Sequence, residues 1–126
     1  MTENEVAGQI VDAAFKIHSA LGPGLFESVY ERVLLYELRK RDLQVMNQQP
    51  VAINYEEVHI EEAFKADLIV ENLVIVELKS IEAIAPIHKK QLLTYLRLSG
   101  MRLGLLINFN VDYIRDGISR VVNNLD

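Results

Sequence analysis

The chain contains no cysteine among its 126 residues. This absence excludes disulfide bonds and metal sites built on thiolates, and it fits a reducing compartment. The first residues carry acids where a secretion signal would carry positive charge. No apolar run approaches the roughly 20 residues that span a bilayer. We therefore expect a cytoplasmic protein without a membrane segment.

Basic residues are in deficit, with 13 lysines and arginines against 18 acids and a formal net charge of −5. This balance weighs against tight, non-specific DNA binding, which usually needs a basic surface. A local basic patch is still compatible with it, and an acidic chain would suit a site that gathers divalent cations. The length and the balance of apolar and charged residues predict one globular domain over residues 1–126.

Apolar spacing predicts two helices at the start of the chain, over residues 3–20 and about 25–41, interrupted by Gly22-Pro23-Gly24. The period then changes, and strands are predicted over residues 51–55, 58–63, 65–70, 74–79 and 102–109. A third helix over 87–99 begins after Pro86 and ends at Gly100, and a short helix is predicted over 112–123. The order ααββββαβα indicates an α/β fold in which helices flank a mixed sheet.

The strands at 65–70 and 74–79 form a predicted hairpin with two possible registers. A two-residue loop would pair Asp67 with Val76, whereas a three-residue loop pairs Val70 with Val74 and Asp67 with Glu77. Faces alternate along each strand. The second register gives one wholly apolar face, formed by Ala66, Leu68, Val70, Val74, Val76 and Leu78. The opposite face holds Lys65, Asp67, Ile69, Ile75, Glu77 and Lys79. The hydrophobic pattern therefore favours the register that brings the two acids together.

Two carboxylates directly opposed on paired strands repel each other, and an apolar setting strengthens the repulsion. Lys65 and Lys79 on the same face would offset part of it, and a divalent cation would offset the rest. Lys79 would then position the attacking water or stabilise charge developing on a phosphate. The simpler interpretation is a partly exposed sheet face that carries ordinary acid–lysine pairs.

The pattern Asp67…Glu77-Leu78-Lys79 resembles the D…(D/E)-x-K signature of the PD-(D/E)XK nuclease superfamily. Gly24-Leu25-Phe26-Glu27-Ser28-Val29-Tyr30 resembles the G-x-x-E-x-x-Y motif of one small family within it, the GxxExxY proteins. Residues 18–24, 85–88, 91–96 and 104–110 are similar to that family as well. Ala66 stands where the literal signature has proline.

The resemblance implies a restriction-endonuclease-like core of the αβββαβ kind, with the active site on the central hairpin. It implies that Asp67, Glu77 and the Leu78 carbonyl hold Mg²⁺, with Mn²⁺ as a substitute, and that Lys79 is the catalytic lysine. Glu27 resembles an additional helical acid of the site. Gln91 and Tyr95 resemble a helix motif that abuts the site in recB-like nucleases.

For several other polar residues, a structural role is expected rather than a catalytic one. Tyr30 is expected to pack with a hydrogen-bonded hydroxyl, and His18 to bond the backbone of the turn that follows it. His88, one turn before Gln91, is more readily a structural than a catalytic residue. The basic residues nearest the third helix are expected to form a solvated face, with contact to a phosphate backbone as the alternative; they are Lys89, Lys90, Arg97 and Arg102.

Two functions from different classes remain open at this point. The first is a Mg²⁺-dependent nuclease that cuts DNA in repair or defence, with RNA as a weaker alternative substrate. The second is a non-catalytic module that keeps the nuclease fold and acts through a protein partner or as a homodimer. The strand at 102–109 or an exposed side of the sheet would then support association.

Overall fold

The structure is a computed structural model, and it describes residues 1–125. Helices α1 (Glu3–Leu21) and α2 (Glu27–Lys40) come first. Strands β1 (Val45–Tyr55), β2 (Val58–Val70) and β3 (Val74–Lys79) follow, and then helix α3 (Pro86–Ser99) and strand β4 (Leu103–Asn108). A short 3-10 helix (Ile114–Gly117) leads into strand β5 (Ile118–Val122). The predicted bounds of the first three helices are close to these.

The five strands form one mixed sheet in the order β1-β2-β3-β4-β5. The β3–β4 pair is parallel, and the other neighbours are antiparallel. Helix α3 connects the two parallel strands, as a crossover between parallel strands requires. The predicted mixed sheet flanked by helices is thus confirmed, and α2, β1, β2, β3, α3 and β4 follow one another in the αβββαβ order.

Two apolar clusters cover the two sides of the sheet. The first packs α1 and α2 against side chains such as Leu68, Val76 and Leu105. The second packs α3 against Ile69, Ile75 and Leu106. Gly104 allows α3 to lie close, because a Cβ there would be 2.9 Å from the Leu92 side chain. Within residues 1–125, the helices lack the combined length and apolarity that a membrane crossing requires.

Three predictions about the strands are wrong. Residues 58–70 form one continuous strand rather than two, and β1 begins at Val45 rather than Val51. The predicted helix over 112–123 is instead a 3-10 turn followed by β5, because Ile118–Val122 pairs with the edge that β4 would otherwise leave open. β4 consequently has a partner strand on each side and is fully buried, so it offers no edge for dimerisation.

Candidate active site

The β2–β3 hairpin has the register that the apolar pattern favoured. Val70 pairs with Val74, Ile69 with Ile75 and Leu68 with Val76. Glu71 and Asn72 have φ values of 54° and 53°, and the Leu73 N–H donates to the Val70 carbonyl at 3.0 Å. This geometry is that of a type I′ turn. Leu73 is the additional residue, which makes Val74 the partner of Val70.

Asp67 and Glu77 come together where the regular β2–β3 pairing ends. The Asp67 N–H donates to Glu77 Oε1 at 3.3 Å, and the Leu78 N–H donates to Asp67 Oδ2 at 2.9 Å. Each carboxyl group thus bonds the backbone of the opposite strand in place of a strand-to-strand hydrogen bond. The two acids lie on the same side of the hairpin, as the predicted register required.

An irregularity in β1 accompanies this pair. The β1–β2 pairing passes from Asn47–Leu68 to Gln49–Ala66, so Gln48 lies opposite Asp67 without pairing to it. Gln48 has a φ of 50°, which interrupts the alternation of the two faces. On the facing strand, Ala66 packs in the cluster on the α3 side, whereas Leu68 packs in the cluster on the other side. The prediction that Ala66 shares a face with Leu68 is therefore wrong.

The amide of Gln48 links two acids of the site. Its Nε2 donates to Asp67 Oδ1 at 3.1 Å and to Glu31 Oε1 at 2.7 Å. Glu31 lies one turn after Glu27 on α2, so both acids are on one helical face. Neither Gln48 nor Glu31 was predicted from the sequence. The i, i+4 spacing of Glu31 from Glu27 could have indicated Glu31. Gln48 precedes the predicted start of its strand, and no sequence pattern indicated it.

Burial strongly perturbs Glu77. Burial, which is the largest cause, acts together with the charge of Asp67 and a hydrogen bond between the two carboxyl groups, and the pKa of Glu77 is raised to about 8. The Asp67 N–H and the charge of Lys79 act in the opposite direction. Lys65, the other lysine predicted to offset the repulsion, is exposed. A cation between the acids would favour the charged form of Glu77.

The pKa values of the two acids of α2, Glu27 and Glu31, are both raised by burial and by the charge of Asp67. Burial is the main cause that raises the pKa of Glu27, and the charge of Asp67 adds to it while Lys79 opposes it. Burial also raises the pKa of Glu31, and the hydrogen bond from Gln48 opposes that rise. The charges of Asp67 and Glu27 raise it further. Both acids therefore lie near Asp67.

A fixed loop places Glu27 at this site. The Tyr30 hydroxyl donates to the Gly22 carbonyl at 2.6 Å and accepts from the Leu25 N–H at 3.2 Å. The buried Tyr30 ring stacks on Phe109 at 4.4 Å between centroids. The Ser80 hydroxyl donates to the Leu25 carbonyl at 2.6 Å and ties the loop to the end of β3. The packing role predicted for Tyr30 is thus confirmed.

Helix α3 brings Tyr95 towards the acids from the other side of the sheet. The Tyr95 ring stacks on Phe64 at 3.9 Å. Burial raises the pKa of its hydroxyl, the charges of Glu77 and Asp67 add to the rise, and a hydrogen bond with Gln91 opposes it. Gln91 itself is exposed. Tyr95 therefore lies near the hairpin acids, and Gln91 is linked to them through Tyr95.

The two remaining histidine predictions have clear structural outcomes. His88 Nδ1 accepts from the Ala85 N–H at 3.0 Å, so this ring caps the start of α3. The His18 ring bonds the Val111 carbonyl at 2.8 Å. It therefore does bond backbone, but of a distant loop rather than of the turn that follows it. Among the basic residues near α3, Arg102 pairs with Glu3 at 3.0 Å, and Lys89, Lys90 and Arg97 are exposed.

The donor set fits a hard divalent cation that keeps part of its water shell. In the described part of the chain, no three histidine, aspartate or glutamate side chains are close enough to enclose a metal ion. Mg²⁺, however, is usually bound by one or two carboxylates together with waters and substrate phosphate. Asp67 and Glu77 supply two such carboxylates, and their mutual repulsion is the feature that a cation would relieve.

Comparison with known proteins agrees with this architecture. A family model of the PD-(D/E)XK nuclease superfamily matches residues 4–121, from α1 into β5. No curated protein and no solved structure matches the chain. The matched region includes the acidic pair, Lys79 and the helices on both sides of the sheet. The chain therefore belongs to the PD-(D/E)XK nuclease superfamily.

Proposed function

We propose that the chain is a Mg²⁺-dependent nuclease that hydrolyses DNA phosphodiester bonds, within the GxxExxY group of its superfamily. The observation that carries the proposal is the interlocked pair of Asp67 and Glu77 beside Lys79 on one hairpin. Superfamily membership supports nuclease activity. Two positions of the G-x-x-E-x-x-Y motif have structural roles around Glu27: Gly24 has a φ of 99°, and the Tyr30 hydroxyl bonds the backbone of Gly22 and Leu25.

The metal ligands in this proposal are Asp67, Glu77 and the Leu78 carbonyl, with Glu27 at the border of the site. Mn²⁺ would substitute for Mg²⁺, since both prefer oxygen ligands. A bound cation would neutralise charge on the phosphate and make a neighbouring water more acidic. Gln48 holds Asp67 in place through its amide. Glu77 supplies the second carboxylate, whose burial makes it costly to ionise alone.

Lys79 is the proposed catalytic residue. Its charge acts on both Glu77 and Glu27, which supports a position of its ammonium group near these acids. An ammonium placed there stabilises negative charge as it grows on the phosphate oxygens. Tyr95 and Gln91 supply a hydroxyl and an amide beside the same acids, and both can donate to a phosphate oxygen.

We further propose that residues 1–126 act as one nuclease-like domain in the cytoplasm, in DNA repair or defence. The net charge of −5 argues that affinity for DNA depends on the site itself and on the local cations near α3. Those cations include Lys89, Lys90 and Arg97, which are exposed. DNA is preferred over RNA as substrate in this proposal.

A cleavage assay tests the proposal. The purified chain is incubated with single-stranded DNA, duplex DNA and RNA of one sequence, with Mg²⁺, Mn²⁺ or a chelator. We expect metal-dependent cleavage of DNA, and a loss of about 10²-fold or more in Asp67→Asn, Glu77→Gln and Lys79→Met, because each change removes charge from the reacting centre. Asp112→Asn is the matched control, since Asp112 is an exposed acid on another loop.

Equal cleavage by the wild type and by the Asp67 and Glu77 variants would reject the assignment, because the activity would then come from a contaminant or another site. A folded wild type that neither binds metal nor cuts any of the three substrates would point to the non-catalytic module instead. Cleavage confined to RNA would keep the residue roles and change the substrate class.

A further inference from the structure

The β1–β2 hairpin extends beyond the helices as an exposed ribbon, which we call the arm (residues 52–63). Every residue of the arm is exposed except the half-buried Ile53. Tyr55 pairs with Val58, and Ile53 pairs with Ile60. Paired residues share a face, and so do residues two apart on one strand. The four apolar side chains therefore lie together on one face of the arm.

The other face of the arm is polar and internally bonded. His59 Nδ1 bonds Asn54 Oδ1 at 2.6 Å, and His59 Nε2 bonds Glu61 Oε1 at 2.9 Å. The apolar face, by contrast, exposes 69% of Tyr55, 55% of Val58 and 43% of Ile60 to solvent. A two-stranded hairpin is marginally stable alone in water, and an exposed apolar patch of this kind marks an interaction surface.

Charge restricts what can cover the arm. Its four acids are Glu56, Glu57, Glu61 and Glu62, and it contains no lysine or arginine. Such a ribbon repels a phosphate backbone, which favours a protein surface rather than nucleic acid as its partner. A complementary surface must present apolar side chains bordered by positive charge.

The exposed side of α2 has this character. Two adjoining grooves of about 630 and 360 Å³ share Arg32 and Tyr36. Arg39 and Lys40 border the first groove, and Val29 and Val33 border the second. Tyr36 is 62% exposed, and the Lys40 ammonium lies 5.9 Å from the centre of its ring. The α2 grooves thus combine apolar walls with three positive charges.

We propose that the arm of one copy of the chain docks against the α2 grooves of a second copy. The same contact made in both directions closes as a two-fold dimer, the commonest form of soluble homo-oligomer. Tyr55, Val58 and Ile60 cover the apolar walls, and the acids of the arm meet Arg32, Arg39 and Lys40. This inference does not depend on nuclease activity.

A charge-exchange experiment tests the pairing by sedimentation. The first variant reverses charges on the arm by combining Glu57→Lys with Glu62→Lys, and it leaves the Glu61–His59 contact intact. The second variant reverses charges at the grooves by combining Arg32→Glu with Lys40→Glu. Arg39 is left unchanged because it donates to the Val45 carbonyl. The matched control, Glu82→Lys with Asp112→Lys, makes the same net charge change as the first variant at exposed positions elsewhere.

The wild type and the control are expected to be dimers that weaken with added salt, because screening reduces contacts between exposed charges. Each reversed variant alone should dimerise ~tenfold or more weakly, since like charges then face each other. An equimolar mixture of the two variants should dimerise again, because both contacts then join opposite charges.

A monomeric wild type would overturn the inference, as would dimers that persist unchanged in each reversed variant. Failure of the mixture to associate would do the same, provided that circular dichroism and the thermal midpoint show both variants folded. In a mixture that associates, loss of the heterodimer on adding Tyr55→Ser to the arm-reversed chain would support the apolar half of the contact.

Discussion

Glu77 shows at the scale of one residue how the fold creates the chemistry of the site. The sheet removes most water from its carboxyl group and places Asp67 beside it, and both effects favour the protonated form. The same feature that makes the site costly without a cation makes it receptive to one. Function and stability should therefore oppose each other at this position.

The pH dependence of the free energy of unfolding, measured with a chelator present to remove metal, tests this opposition. The pKa of Glu77 rises from 4.5 to about 8 on folding. Between these two pH values, the folded chain keeps a proton on Glu77 that the unfolded chain releases. The stabilisation is complete below pH 4.5 and is lost as the pH approaches 8. We expect the free energy of unfolding to fall by on the order of a few kcal/mol across this window.

Glu77→Gln should flatten this profile and unfold at a higher urea concentration than the wild type near pH 8, although we expect it to be inactive. Urea unfolding of both proteins across the window provides the measurement. An identical slope in the two proteins would show that Glu77 is not the group that loses its proton.

Gln48 gives a second residue-scale prediction, which assumes the proposed metal site. Its amide holds Asp67, while its φ of 50° suits glycine better than a residue with a side chain. Gln48→Gly should therefore leave stability almost unchanged. It should weaken Mn²⁺ binding about tenfold or more, because residues that orient a metal ligand typically contribute that much.

Isothermal titration with Mn²⁺ measures this effect. Asp42→Gly is the matched control, because Asp42 has a φ of 62° in the turn after α2. It should bind Mn²⁺ as the wild type does. If Gln48→Gly also binds as tightly as the wild type, Gln48 does not position Asp67. If the wild type binds no Mn²⁺, the proposed metal site fails together with this role.

At the scale of secondary-structure elements, the sequence was informative where a local pattern decides the structure. The first three helices were predictable from the spacing of their apolar residues. Pro86 and Gly100 marked the beginning and the end of α3. The β2–β3 register follows from the apolar face around Leu68 and Val76, since a slip of one residue would move that face to the wrong side of the hairpin. The central pair of acids was therefore predictable.

Elements that depend on distant partners were not predictable in the same way. Residues 118–122 are strand because the edge of β4 is available to them, and their β-branched side chains suit that position. Gly117, just before them, approaches the Asn108 carbonyl so closely that no side chain fits there. Similarly, the positive φ of Gln48 and the shift of Ala66 to the other face leave no local trace in the sequence.

At the scale of the whole molecule, the sheet separates two layers that both contribute to one site. Helix α2 on one side brings Glu27 and Glu31, and α3 on the other side brings Tyr95 and Gln91. The hairpin between them supplies the acidic pair. This arrangement explains why the charge of Asp67 affects Glu27, Glu31 and Tyr95, which are far apart in the sequence.

The position of a bound metal ion would decide whether Asp67 and Glu77 form a metal site. A crystal of the wild-type chain grown with Mn²⁺ would show the ion by its anomalous scattering, and a crystal of Glu77→Gln grown identically would serve as the comparison. We predict one strong peak in contact with the carboxylates of Asp67 and Glu77, which is lost or greatly weakened in the variant. A fully ordered hairpin with no peak between these two acids, or with the same peak in both crystals, would show that the two acids do not form the metal site.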